Sequence, residues 1–270
     1  MRLWTTALLA SLAAPLAAEP PQQGVASVRL IPGWTETDGA RMAAIEIRLA
    51  PGWYTYWRVP GANGVPPQFD WSSSVNLAAV AYHWPRPQVF DSYGVTTIGY
   101  KNALVLPVRL APASPDAPMD IALDLFFGVC LDICIPSEAR ITARLEPEAA
   151  SEGGALIATA LAARPLAAAE AGVTAARCTL EPQDSGYVLT AEITLAAPAA
   201  EGVTTVIEAA DRPDLWIGAA ETRTRGRTVE AAARLDAMGD GGLALDRSAL
   251  RLTLLDPDRA IDILGCTGDG

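Results

Sequence analysis

A chain of 270 residues, half hydrophobic and about a fifth charged, has enough apolar material for a buried core, so global disorder is excluded. Its formal net charge of −11, with Lys101 the only lysine, repels phosphate backbones and argues against nucleic acid as a partner.

The first residues have the pattern of an export signal. Arg2 supplies a positive charge, Leu3 to Leu12 a short apolar stretch, Pro15 a break, and Ala17 and Ala18 a small-residue cleavage site before Glu19. Residues 1–18 are therefore expected to be removed. The apolar stretch is too short to span a bilayer, and no transmembrane segment is expected in the mature chain. An exported, periplasmic location favours disulfides over metal-bound thiolates.

Strand-like runs follow. Val25 to Ile31, Met42 to Leu49, Ala103 to Leu110 and Ile121 to Phe127 are β-branched or alternate apolar with polar residues. In the second run Ile45, Ile47 and Leu49 are expected to face the core, with Glu46 and Arg48 on the opposite side. Ile141, Ala143 and Leu145 continue the alternation. Turn signals at Pro51-Gly52, Gly61 to Pro67, Ser72 to Ser74 and Pro112 to Pro118 separate the runs. Many short strands with Pro and Gly between them predict a β-sandwich. Residues 148–172 are alanine-rich around Pro165 and are expected to be a short helical linker. A second strand-rich block covers 173–270, with runs from Gly186 to Ala196, Val203 to Ile207, Leu215 to Ala219, Thr228 to Leu235, Leu250 to Leu255 and Ala260 to Leu264. The predicted fold class is all-β, two immunoglobulin-like sandwiches in tandem over 22–147 and 173–270.

Four cysteines allow three disulfide connectivities. Reactivity and reach favour Cys130–Cys134 with Cys178–Cys266. Three residues separate Cys130 from Cys134. In a straight strand the two would lie roughly 13 Å apart, beyond disulfide reach. Pro136 disfavours a helix there, so a hairpin is expected, with Leu131 to Ile133 turning and the cysteines facing each other across the strand ends. A bond that closes so short a loop adds little stability, which leaves a structural role poorly motivated. Exposed at an edge, it is open to attack by a thiolate. Cys178 and Cys266 stand at the start and end of the second block, where a bond would act as a staple adding roughly 4–5 kcal/mol.

The residues from Pro51 to Arg58 (PGWYTYWR), Pro66 to Trp71 (PPQFDW), Tyr93-Gly94 with Ile98 to Lys101, Leu106-Pro107-Val108, and Gly128-Val129-Cys130 through Cys134-Ile135-Pro136 together resemble the N-terminal periplasmic domain of DsbD-type thiol:disulfide interchange proteins. The resemblance covers about Val25 to Leu145. The rest of the chain is similar to the second sandwich of suppressor-of-copper-sensitivity (ScsB-like) members. The resemblance implies an immunoglobulin-like fold, a redox-active pair at Cys130 and Cys134, and a cap loop matching Phe90, Asp91, Ser92, Tyr93 and Gly94. The usual capping aromatic falls at Ser92, so Phe90 or Tyr93 is expected to substitute. Tyr54 and Tyr56 match aromatic site-lining positions, and Asp91 and Asp132 are the acids nearest the pair.

The implied activity is electron relay, as one component of a protein-disulfide reductase. The reductant is expected to be a thioredoxin-like domain or a membrane electron-transfer protein, and the targets periplasmic disulfide-containing proteins. The family's membrane conduit and thioredoxin-like domain find no counterpart in these residues, so the electron source is expected to be a separate protein. No cofactor or metal is implied. No lysine or arginine lies between Phe90 and Tyr100 or between Asp120 and Ser137, so the thiols are expected to react mainly when a partner docks. Two other readings fit the same residues: a copper-tolerance module binding Cu(I) through both thiols, and a non-catalytic interaction module with two structural disulfides. His83, the only histidine, rules out a histidine-rich metal site.

Overall fold

The computed structural model describes residues 23–61, 64–92, 94–147, 153–209, 211–212, 214–237, 243 and 245–268. The export signal, most of the acidic stretch after Pro147, and Tyr93 lie outside the described residues. The first half contains β1 (Val25–Thr35), β2 (Arg41–Leu49), β3 (Tyr54–Gly61), β4 (Gln68–Asp70), β5 (Leu77–Tyr82), β6 (Gln88–Ser92), β7 (Val95–Lys101), β8 (Ala103–Pro112), β9 (Met119–Cys130) and β10 (Cys134–Leu145). They form two sheets, ordered β1-β2-β8-β5 and β10-β9-β3-β7-β6, with β4 also on β9.

Alternation explains why these runs are strands. Every second residue of β9 from Met119 to Phe127 enters the core, where Ile121, Leu123 and Leu125 meet Ile45 and Ile47 of β2 and Leu106 and Val108 of β8. The alternation stops at Phe127, and the last four residues of β9 are all buried because both faces of the strand are covered there. This is the end that carries Cys130.

The outer face of β2 departs from the expected polar surface. Glu46 is only 2 % exposed, bonded by Arg29 at 2.6 Å and Arg48 at 3.0 Å. Burial pushes its carboxyl up, but the two guanidinium bonds outweigh that and hold it below the usual carboxylate range. Met42 and Ala44 of the same strand are buried with Ile31 beneath α1 (Gly154–Ala162), through Ile157.

The stretch expected as a linker thus divides. Helix α1 covers the first sandwich, and β11 (Leu166–Ala167) already belongs to the second. The second half continues with β12 (Val173–Pro182), β13 (Tyr187–Leu195), β14 (Thr204–Ala209), β15 (Leu215–Ile217), β16 (Glu221–Arg225), β17 (Thr228–Ala237), β18 (Leu250–Leu255) and β19 (Ala260–Leu264). Its sheets run β11-β19-β18-β14 and β12-β13-β17-β15, with β16 on β17. A disulfide joins Cys178 of β12 to Cys266 just past β19, with Cα atoms 5.7 Å apart. Among the described residues, no helix is long and apolar enough to cross a membrane.

The two sandwiches share an apolar contact and a charged one. Val206, Leu255 and Ala260 of the second join the core of the first. Arg58 of β3 donates to Glu208 at 2.8 and 2.9 Å and to Thr253 at 3.3 Å, while its guanidinium lies 4.0 Å from the Trp57 ring centroid. Strand β3 therefore links the second sandwich to the tyrosines at its own N-terminal end.

Candidate functional site

Cys130 closes β9 and Cys134 opens β10. The two are Cα partners in the antiparallel register, 4.1 Å apart, and are joined by a disulfide. Leu131, Asp132 and Ile133 make the turn, closed by the Leu131 N–H donating to the Ile133 carbonyl at 3.2 Å. The expected hairpin is present. Pro136 is accommodated because β10 is the edge strand of its sheet, where a missing N–H costs no ladder bond.

The two sulfurs occupy different environments. Cys130 is fully buried, whereas Cys134 is exposed. Beside Cys134 the turn presents apolar surface, with Leu131 40 % and Ile133 64 % exposed. Cys134 thus lies at the surface of the hairpin, and Cys130 is enclosed behind it.

Tyr54 and Tyr56, two residues apart on β3, point to the same side of the sheet. Both pack with Cys130, Val65 and Phe90. The Tyr56 hydroxyl lies 3.0 Å from Cys130 Sγ and 3.1 Å from Cys134 Sγ. Disulfide sulfur carries no hydrogen, so the tyrosine O–H donates. Burial foremost, and then the neighbouring Tyr54, push the Tyr56 hydroxyl up to about 12, so it remains a proton donor throughout the physiological range.

Two glycines hold this ring in a slot. A Cβ on Gly64 would stand 2.8 Å from Cδ1 and Cε1 of Tyr56; one on Gly128 would stand 2.9 and 3.0 Å from Cε2 and Cδ2. Each edge of the ring thus lies against bare backbone. Gly128→Ala is expected to displace Tyr56 and to destabilise the protein by about 1–3 kcal/mol, the usual cost of overpacking. Urea denaturation gives the magnitude. A loss of tyrosine burial in difference ultraviolet spectra locates the effect; Gly202→Ala, strained by its φ of +72° but with nothing within 4 Å of the added Cβ, is expected to lack it.

The residues proposed for the cap separate in the structure. Phe90 of β6 packs edge-on against Tyr54, with ring centroids 5.0 Å apart. Asp91 is exposed and accepts the Gly94 N–H at 3.0 Å, fastening the β6–β7 turn. Asp132 is exposed in the turn between the cysteines. Tyr93 lies outside the described residues. Lys101, noted above only as the sole lysine and as a motif residue, lies one residue beyond the cation-free stretch that ends at Tyr100. Its ammonium lies 4.4 Å from the Phe90 ring centroid. Lys101 also pairs with Tyr54, Tyr54 with Cys130 and Cys130 with Cys134, one row across four strands, whereas the backbone partner of Phe90 is Thr97. Among the described residues no group of three or more His, Cys, Asp or Glu side chains is placed to hold a metal ion.

This geometry provides a disulfide with one reachable sulfur, one sheltered sulfur and a fixed proton donor touching both. Residues 26–146 match the family model described as "Thiol:disulfide interchange protein DsbD, N-terminal". The N-terminal periplasmic domain of ScsB from Proteus mirabilis superposes with a TM-score of 0.69 at 23 % identity, over 94 % of this chain and 97 % of that one. A marsupial T cell receptor aligns over 92 % of this chain and 99 % of its own, but at 11 % identity and a TM-score of 0.18, too weak a likeness to bear on the fold. A search of curated proteins finds no match. The first sandwich, with both sulfurs of the hairpin inside the matched residues, is thus similar to the DsbD N-terminal thiol:disulfide interchange family over residues 26–146 of the chain's 270.

Proposed function

We propose that the chain is a periplasmic thiol–disulfide exchange protein that takes electrons from a thioredoxin-like or membrane reductant and passes them to disulfides of periplasmic proteins. Export is expected from the N-terminal residues, and the ScsB relative is described as a periplasmic domain. The observation that carries the reading is the contrast between exposed Cys134 and buried Cys130 beneath the Tyr56 hydroxyl.

The reductant's thiolate attacks Cys134 Sγ, forming a mixed disulfide as the Cys130–Cys134 bond breaks. Cys130 leaves with the bonding electron pair. Tyr56 donates a hydrogen bond to the developing thiolate, which then takes a proton from solvent or the partner. The reductant's second thiolate attacks its own sulfur in the mixed disulfide and releases Cys134. Two electrons and two protons have then passed to the pair, and the reductant holds the new disulfide. Reduction of a target runs the sequence in reverse: Cys134 attacks and Cys130 resolves. Tyr54 and Phe90 exclude water from Cys130, and the second sandwich anchors β3 through Arg58.

Equilibration in thiol–disulfide buffers, read by alkylation and mass spectrometry, tests this. The Cys130–Cys134 pair is expected to have its midpoint between about −270 and −120 mV, the span of exchange proteins. A bond that stays oxidised in buffers poised below about −300 mV would behave as a structural one and end the proposal.

A further inference from the structure

We infer that Lys101 determines which partners exchange efficiently at this hairpin, favouring one that carries a carboxylate next to its reacting cysteine. The inference rests on the exchange function proposed above. Lys101 is the only lysine in a chain of net charge −11, so the protein as a whole repels an acidic partner. Around the sulfurs the distribution is different. Lys101 ends the row of paired residues that begins at Cys134 and runs through Cys130 and Tyr54. Strands lie ~4.8 Å apart, so its Cα is roughly 10 Å from that of Cys130, and its side chain extends over Phe90. It is exposed, and among the described residues no carboxylate pairs with it.

The ammonium is held by the ring face it covers. Its position is thus biased toward the ring without its charge being neutralised. The acids of this end are placed differently. Asp91 is on β6 with its carboxylate accepting the Gly94 N–H. Asp132 lies in the β9–β10 turn, on strands two and three places from β7. A docking partner therefore meets the Lys101 ammonium over Phe90, while Asp91, the next residue of β6, points to the opposite face of the strand and Asp132 lies at the turn. A carboxylate facing Phe90 falls within about one screening length of Lys101 at physiological salt, ~8 Å. Charge placed in this way acts on encounter rate and orientation more than on standing affinity.

The test uses three synthetic peptides, each with a Cys-x-x-Cys dithiol, flanked by Asp, by Ser or by Lys. Each reduces the oxidised full-length protein under pseudo-first-order conditions, and loss of the Cys130–Cys134 bond is followed. The acidic peptide is expected to react roughly threefold faster than the neutral one, in keeping with a single exposed charge pair, and the basic one more slowly. Raising the salt to about 1 M, where screening acts within ~3 Å, should erase the order. Lys101→Gln should also erase or invert it, since the overall charge then dominates, and Lys101→Arg should preserve it. A basic peptide that is fastest with the unaltered protein, or an order unchanged in Lys101→Gln, overturns the role of Lys101 while leaving exchange intact. If none of the peptides reduces the bond, the exchange reading itself fails.

Discussion

Cys130→Ser is expected to accumulate mixed disulfides with periplasmic proteins through Cys134, while Cys134→Ser is expected to accumulate almost none. Both changes leave one thiol in the hairpin, so a difference between them reports position and not thiol count. Cys134 is exposed at the strand start beside Leu131 and Ile133, whereas Cys130 is fully buried against Tyr54 and Tyr56. An external disulfide reaches Cys130 only after local opening of the hairpin or the cap. An opening free energy of about 3 kcal/mol would slow its reaction about a hundredfold. The same contrast is expected in alkylation of the reduced, unaltered protein, where Cys134 is modified first. Multiple-turnover reduction of a target should fall to the uncatalysed rate in both variants, because each turnover needs a second sulfur to resolve the mixed disulfide. Gel separation under non-reducing conditions reads the adducts. Equal trapping by the two variants would remove the distinction between attacking and resolving sulfur.

The hairpin was legible in the sequence because, once Cys130 is taken to bond Cys134, steric limits require it. Three intervening residues put two sulfurs out of reach in an extended strand, and Pro136 blocks the helical alternative. Tyr54 and Tyr56 were legible from the family motif, and their spacing of two places both on one face of β3. What could not be read is what depends on register between strands far apart in sequence. Lys101 stands in one row with the cysteines because β7 pairs with β3 and β3 with β9, and no local window contains that fact. The roles of Gly64 and Gly128 likewise require knowing that the Tyr56 ring passes between them. Glu46 alternates as an outward residue should, yet it is buried, because the helix from the supposed linker covers the neighbouring part of that face while Arg29 and Arg48 close over the carboxylate. Alternation identifies the two faces of a strand. It does not say whether the second face meets solvent or another element.

The two disulfides are expected to differ in how much stability they contribute, and that difference tests the proposal that the hairpin bond serves exchange and the longer loop the fold. In the chain-entropy model the stabilisation grows with the logarithm of the closed loop. The sequence separations are 4 for Cys130–Cys134 and 88 for Cys178–Cys266. The long loop is then expected to contribute about 4.6 kcal/mol and the short one about 1.9 kcal/mol, and the difference of about 2.7 kcal/mol does not depend on the constant in the expression. Position in the fold adds to the contrast. Cys178 is buried in the second core, and its partner fixes the segment after β19, where the Thr267 N–H donates to Ala176 at 2.9 Å and the Cys178 N–H donates to Thr267 at 2.8 Å. The bond thus adds a covalent link to a segment that backbone pairing already lays on β12. The double variants Cys130→Ala/Cys134→Ala and Cys178→Ala/Cys266→Ala, unfolded in urea beside the unaltered oxidised protein, give the two values. The second pair is expected to lose at least ~2 kcal/mol more than the first. Equal losses would mean that the hairpin bond supports the fold as much as the staple does, and an easily exchanged bond there would then come at the expense of the native state.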